Sequence, residues 1–204
     1  MKTALIWDLD GTLIDSYPVI VASLVALCAE VGFSCIEDEV EHLVKSQSVS
    51  ALLARISGQT GRLVSALKEQ YSQISRTKDG EIELLPHAAE VLQALAAQSC
   101  CHYIYTHRGA STLPILEALG LAPFFSDLVT AEDGFPRKPD PSALLHLMKK
   151  HGLNPESSYY IGDRDLDVAC GKNAGIGTVL LASAYAKAQA DWKINRLNEL
   201  LEIF

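Results

Sequence analysis

The feature that most constrains the fold is a recurring unit: a short run of strand formers that stops at a polar residue. The first run, Thr3-Ala4-Leu5-Ile6-Trp7, ends at Asp8-Leu9-Asp10-Gly11-Thr12-Leu13. A run this short and apolar reads as a buried strand. Cys101-His102-Tyr103-Ile104-Tyr105 leads to Thr106, and Ser158-Tyr159-Tyr160-Ile161 leads to Gly162-Asp163. Gly177-Thr178-Val179-Leu180-Leu181 leads to small residues, and residues 127–130 are a shorter candidate. Between these runs lie helical patterns at 86–98, 141–151 and 165–173, the last stopped by Ala174-Gly175. Strands alternating with helices predict βαβ units and a mainly parallel sheet, an α/β fold.

One stretch breaks the alternation. From residue 18 to about 76 the pattern is helical throughout, in pieces at 19–31, 37–45, 49–56 and 60–74. The breaks are placed at Gly32-Phe33, Ser46-Gln47-Ser48 and Gly58, and Arg76-Thr77-Lys78-Asp79-Gly80 reads as a linker back to the core. The expected organisation is a discontinuous core of residues 1–14 and 81–204 with a helical domain at 15–80. An insertion of this kind can cover a site at the carboxyl edge of the sheet and exclude water.

Composition narrows the classes of function. The 204 residues carry a formal net charge of -8, which argues against a nucleic-acid partner, since such binding needs a basic footprint. No apolar run approaches a membrane span and no leader pattern is evident. Five cysteines, an odd number without a CxxC pair, suit a reduced, cytoplasmic protein. Adjacent Cys100 and Cys101 read as small apolar residues at a strand start.

In an open α/β sheet, ligands bind beyond the carboxyl ends of the strands. Four polar clusters fall after strands or in loops that can face that edge: Asp8/Asp10 with Gly11-Thr12, Thr106-His107-Arg108-Gly109, Arg137-Lys138-Pro139-Asp140-Pro141, and Gly162-Asp163-Arg164-Asp165-Leu166-Asp167. Asp8 and Asp10, two apart, suggest a hard-metal site, an acid/base pair, or a nucleophile beside a proton donor. Asp163 adds a carboxylate, Lys138 a positive charge and Thr106 a hydroxyl. Together with Mg²⁺ these suit phosphoryl transfer, where positioning and charge stabilisation carry most of the catalysis.

On these residues the chain resembles the haloacid dehalogenase superfamily. Asp8-Leu9-Asp10-Gly11-Thr12 matches its first motif, DxDGT; Thr106 matches the second, Lys138 the third, and Gly162-Asp163 through Asp167 the fourth, GDxxxD. The resemblance implies a Rossmann-like three-layer α/β/α core with a small α-helical cap, close to phosphoglycolate-phosphatase-like members. It implies a Mg²⁺-dependent phosphatase acting on a small phosphorylated metabolite, such as phosphoglycolate or a sugar phosphate, and a monomer or homodimer. Asp8 would attack phosphorus to form an aspartyl-phosphate, and Asp10 would act as general acid and then base. Asp8, Asp163 and the Asp10 carbonyl would hold Mg²⁺, with Asp167 behind them or reaching the metal through water. Thr106 would orient the phosphoryl group, Lys138 would balance its charge, and Gly11 and Thr12 would shape the turn and offer backbone donors.

His107 stands where many relatives carry Asn. Together with Arg108 it is a candidate for reading the anionic part of the substrate, or for packing against the cap or the aspartates. Arg55 is the candidate substrate contact in the helical insertion. His87 and Asp165 read as structural residues near helix starts. A dehalogenase of the same fold would lack the second aspartate, so Asp10 speaks against it. A phosphomutase, or a non-catalytic module phosphorylated on aspartate, are the alternative readings.

Overall fold

The structure, a computed structural model, describes residues 2–204. The chain forms two compact units, residues 1–15 with 83–204, and residues 16–82.

The first unit is built on a six-stranded sheet. Its strands are β1 (Ala4–Trp7), β4 (Cys101–Tyr105), β5 (Phe125–Val129), β6 (Ser158–Gly162), β7 (Gly177–Leu181) and β8 (Trp192–Ile194). The order is β5-β4-β1-β6-β7-β8 and every pairing is parallel. The register sets Ala4 beside both Cys101 and Ser158, so β1 lies between β4 and β6. All four β1 residues are buried, as expected of a parallel strand covered on both faces. A second, two-stranded antiparallel sheet pairs β2 (Ile14–Asp15) with β3 (Glu83–Leu84).

Alternation along the strands sends side chains to two cores. Ala4, Ile6, Tyr103, Tyr105 and Tyr160 pack with Ala143, Leu144, Leu147 and Met148 of α7 (Ser142–His151) and with Cys170 and Ala174 of α8 (Asp165–Ala174). Leu5 and Trp7 point to the opposite face, where the Trp7 indole N–H donates to Nδ1 of His102 at 3.0 Å. Helix α5 (Ala88–Ala97) packs on β4 and buries Val91, Leu92 and Leu95. These elements match the sequence expectation of an α/β fold with a parallel sheet, and the short candidate at 127–130 is a strand whose observed bounds are Phe125–Val129.

Besides the short pair β2 and β3, a helix and the strand β8 of this unit were not foreseen. Helix α6 (Thr112–Ala118) contains Pro114, but in the first turn, where backbone N–H groups have no intrahelical partner and proline is tolerated. Strand β8 has three residues, two of them exposed, which is too short and polar to show a strand pattern.

The second unit has four helices: α1 (Tyr17–Val31), α2 (Glu37–Ser46), α3 (Val49–Thr60) and α4 (Val64–Arg76). They share one core containing Leu24, Leu27, Val40, Leu52, Ile56 and Leu67. The Ser48 hydroxyl caps α3 by accepting from the N–H of Ala51 at 3.1 Å. The break expected at Gly58 is corrected: α3 runs through it and ends at Gly61, whose φ of 71° is left-handed. Gly58 sits within the helix on an exposed position, where glycine costs only about 1 kcal/mol against alanine. The fourth helix accordingly starts at Val64 rather than at residue 60. Among the described residues no helix is long and apolar enough to cross a membrane.

Candidate active site

Because β1 lies between β4 and β6, their three carboxyl ends are adjacent, at the place where chain connections depart to either side. Such a switch point opens a crevice. Asp8 follows β1, Thr106 follows β4, and Asp163 follows β6. The sheet ladder continues one residue into the site: the Asp8 N–H donates to Ile161 O at 2.8 Å and the Thr106 N–H to Val129 O at 3.0 Å. These side chains therefore start from backbone fixed by the sheet.

After Asp8 the chain turns sharply. Gly11 has φ 79° and donates to Ile14 O at 2.9 Å, while the N–H groups of Thr12 and Leu13 donate to Leu9 O at 3.2 and 3.0 Å. The positive φ favours glycine. The Gly11 and Thr12 N–H groups are thus engaged inside the turn, and the Thr12 side chain is fully buried.

Asp8, Asp163 and Asp167 each contribute a carboxylate oxygen to a cluster whose atoms lie within 4.8 Å of one another, and all three are buried. Lys138 reaches into it. Its ammonium donates to Asp8 Oδ1 at 2.5 Å and to Asp167 Oδ1 at 2.8 Å. It also lies over the rings of Tyr105, at 5.0 Å, and Tyr160, at 5.2 Å. Burial opposes the charge of Lys138, but Asp167 and Asp8 outweigh it and hold the ammonium above its ordinary range. Burial drives the Asp8 carboxyl well above the usual carboxylate range; Asp167 and Asp163 add to this and Lys138 opposes it.

Three acidic groups against one ammonium cannot all ionise cheaply in a buried place, which is why the Asp8 carboxyl is driven up, and a further cation would let them ionise together. The donors are all hard oxygens, the set that Mg²⁺ takes. The residues present therefore fit a divalent cation. Gly162 makes the approach of Asp167 possible, because a Cβ at residue 162 would lie 2.4 Å from the Asp167 Cβ. Asp167 is held by the N–H of Arg164, which donates to its Oδ2 at 3.1 Å.

Asp10 points elsewhere. Its carboxylate is gripped by Arg108, with Nη2 to Oδ1 at 2.6 Å and Nε to Oδ1 and Oδ2 at 3.0 and 3.3 Å. Arg108 Nη1 donates to Ser111 Oγ at 3.2 Å, and the Arg108 N–H donates to Thr106 Oγ1 at 3.1 Å. His107 turns the other way, and its Nε2 accepts from the main-chain N–H of Lys138 at 2.9 Å. The structure thus gathers Asp8, Asp163, Asp167 and Lys138 in one cluster, and links Asp10, Thr106 and Arg108 in a second set.

Arg55 is in the helical unit, exposed beside a shallow groove that includes Phe33, Glu39 and Leu52. His87 precedes α5 and contacts Glu90 at 2.8 Å, and Asp165 accepts from the N–H groups of Lys187 and Ala188. Both behave as structural residues. The residues the sequence did not flag are Tyr105 and Tyr160, whose rings flank Lys138. In sequence they are ordinary strand aromatics.

Residues 5–181 match the family of haloacid dehalogenase-like hydrolases. The chain belongs to that family. This hydrolase is 28% identical to the phosphoglycolate phosphatase of Vibrio cholerae, over 97% of its own length and 94% of the relative's. It is 26% identical to the pyrophosphatase PpaX of Oceanobacillus iheyensis, over 87% and 82%. The hydrolase also shares its fold with the HAD-hydrolase YfnB of Bacillus subtilis, a structure bound to magnesium, at TM-score 0.77, 21% identity and 100% and 99% coverage.

Proposed function

We propose that this hydrolase is a Mg²⁺-dependent phosphatase that releases inorganic phosphate from a small phosphorylated metabolite. The observation that carries the reading is the buried cluster of Asp8, Asp163 and Asp167 around the Lys138 ammonium, with a further carboxylate two residues beyond Asp8. Asp8 and Asp163, with Asp167 beside them, would hold a divalent cation, which when bound would supply charge neutralisation for the phosphoryl oxygens.

The chain's own groups divide the remaining work. An Asp8 oxygen attacks phosphorus; the Asp8 O–P bond forms as the bond to the leaving oxygen breaks. Asp10, released from the Arg108 pair and protonated in the bound complex, delivers its proton to that oxygen, then takes a proton from the water that hydrolyses the aspartyl-phosphate. Lys138 offsets negative charge on Asp8 and on the transferring group, and the Thr106 hydroxyl orients that group. Phosphoglycolate is the first substrate to try, since the Vibrio cholerae relative carries that name; pyrophosphate is the second, from the Oceanobacillus relative.

The test is phosphate release from phosphoglycolate, sugar phosphates, nucleotides and pyrophosphate, with Mg²⁺ and with EDTA. Turnover with Mg²⁺ and its loss in EDTA are expected, and Asp8→Asn should lower turnover by a factor on the order of 10⁴ or more with the fold retained. Normal turnover in Asp8→Asn would remove the nucleophile assignment. Isomerised sugar phosphate in place of free phosphate would favour a phosphomutase.

A further inference from the structure

Lys138 does its work from a segment without regular structure, between the short 3-10 turn Ala131–Asp133 and α7. Its side chain has four rotatable bonds, yet its ammonium must meet Asp8 and Asp167 together. What fixes the main chain beneath it therefore decides how well the ammonium is placed. Four contacts do so. The Tyr105 hydroxyl donates to Pro136 O at 3.3 Å, Asn173 Nδ2 donates to Pro139 O at 2.9 Å, and Cys170 Sγ approaches Asp140 O at 3.2 Å. The fourth is at Lys138 itself, whose N–H donates to His107 Nε2 at 2.9 Å.

This last contact satisfies a main-chain donor that would otherwise need water or a ladder partner. It also spends the acceptor nitrogen of His107 on the protein. A ring that accepts at Nε2 carries its proton on Nδ1. Burial keeps the imidazole neutral, with Lys138, Arg137 and Arg164 adding to the effect, and its pKa is pushed down to about 2. The ring stands edge-on to Tyr105 at 6.0 Å, the same aromatic over which the Lys138 ammonium lies.

We propose that His107 is a positioning residue for Lys138: its neutral imidazole holds the Lys138 main chain so that the ammonium bridges Asp8 and Asp167. This rests on the phosphatase reading for the role of Lys138, but the contact itself can be tested without turnover. In place of a contact to substrate, the residue after Thr106 then contributes through the lysine 31 residues further along the chain.

Two measurements test it. In ¹⁵N-resolved spectra of the full chain near pH 6 to 7, His107 should show an unprotonated Nε2 and a protonated Nδ1, and the Lys138 amide should be protected from exchange. His107→Ala should lose that protection, and His107→Gln, which keeps an acceptor, should restore it. An Nε2–H tautomer or a charged ring at that pH overturns the proposal whether or not the protein is a phosphatase. In steady-state assays, His107→Ala should lower kcat by a factor on the order of 10 to 100 with KM within about threefold, since misplacing a group by about 1 Å costs about that much. His107→Gln should recover most of the loss, and His107→Ala should add little in a Lys138→Met background. A raised KM with kcat unchanged would make His107 a substrate contact, and losses that add to those of Lys138→Met would make its role independent of the lysine. Either result overturns the proposal, whereas absence of any phosphatase activity in the wild type would instead sink the phosphatase reading.

Discussion

At the residue scale, the site is governed by an imbalance of buried charge. Lys138 is almost wholly buried, and the pair of carboxylates it bridges is what chiefly makes its charge tolerable there, with the Tyr105 and Tyr160 rings adding to them. Removing one partner from a buried set strands the others, at about 3–5 kcal/mol. Lys138→Met therefore should destabilise the fold by up to about that amount in Mg²⁺-free buffer, measured by urea denaturation, because the aspartates must then crowd without any cation or take up protons. An unchanged midpoint would mean that the aspartates are already protonated in the fold. The sequence marked Asp8, Lys138, Asp163 and Asp167 as functional. It did not show that Lys138 pairs with Asp167 as well as Asp8, or that Arg108 takes both oxygens of Asp10.

At the element scale, backbone conformation and strand burial make the testable differences. Gly58 and Gly61 are three residues apart, and an added Cβ meets open space at both. Only Gly61 has a left-handed φ. Gly61→Ala should cost about 1–2 kcal/mol, and Gly58→Ala should stabilise by up to about 1 kcal/mol, as read by thermal melting. Equal effects would mean that α3 does not end at Thr60.

Strand β4 carries the second case. His102 is buried against Trp7, and burial pushes its pKa down to about 4 from an ordinary value of about 6.5. Between those values the unfolded chain binds a proton at residue 102 that the folded chain does not. Stability is thus full above about pH 6.5 and falls as pH drops through about 4, by about 3 kcal/mol for this residue. His107, depressed further, adds a loss of the same sign. Urea midpoints at pH 7 and 5 should differ less for His102→Gln than for the wild type, and an equal difference would remove His102 as the cause. The alternation of residues in β4 was readable in advance, but the indole facing His102 comes from β1, 95 residues earlier.

At the scale of the molecule, the strand order gives the acidic cluster its composition. Asp8 comes from the end of β1 and Asp163 from the end of β6, with Asp167 in the first turn of α8, so a divalent ion bound there would tie distant parts of the first unit together. Binding to the folded state alone raises stability by about 2.7 kcal/mol at 100 times the dissociation constant. The wild-type melting temperature should rise with Mg²⁺ and fall back in EDTA, and Asp163→Asn should abolish the shift. A wild type indifferent to Mg²⁺ would argue against a cation at these aspartates.

What the sequence determined by itself was local in origin. Short apolar runs ended by polar residues made strands, helical periodicity filled the gaps between them, and Asp8, Thr106 and Asp163 fell directly after strands, which is enough for an α/β sheet with chemistry at one edge. Even there a rule misled at Gly58, since glycine punctuates a chain only where its unusual φ is used. The tertiary structure alone decided which strand ends are neighbours, and so which side chains meet. Lys138 reaches Asp8 across 130 residues, Arg108 reaches Asp10 across 98, and His107 meets Lys138 across 31. Contacts of that span come from strand order and helix packing summed over the fold, and no single window of the chain contains both partners.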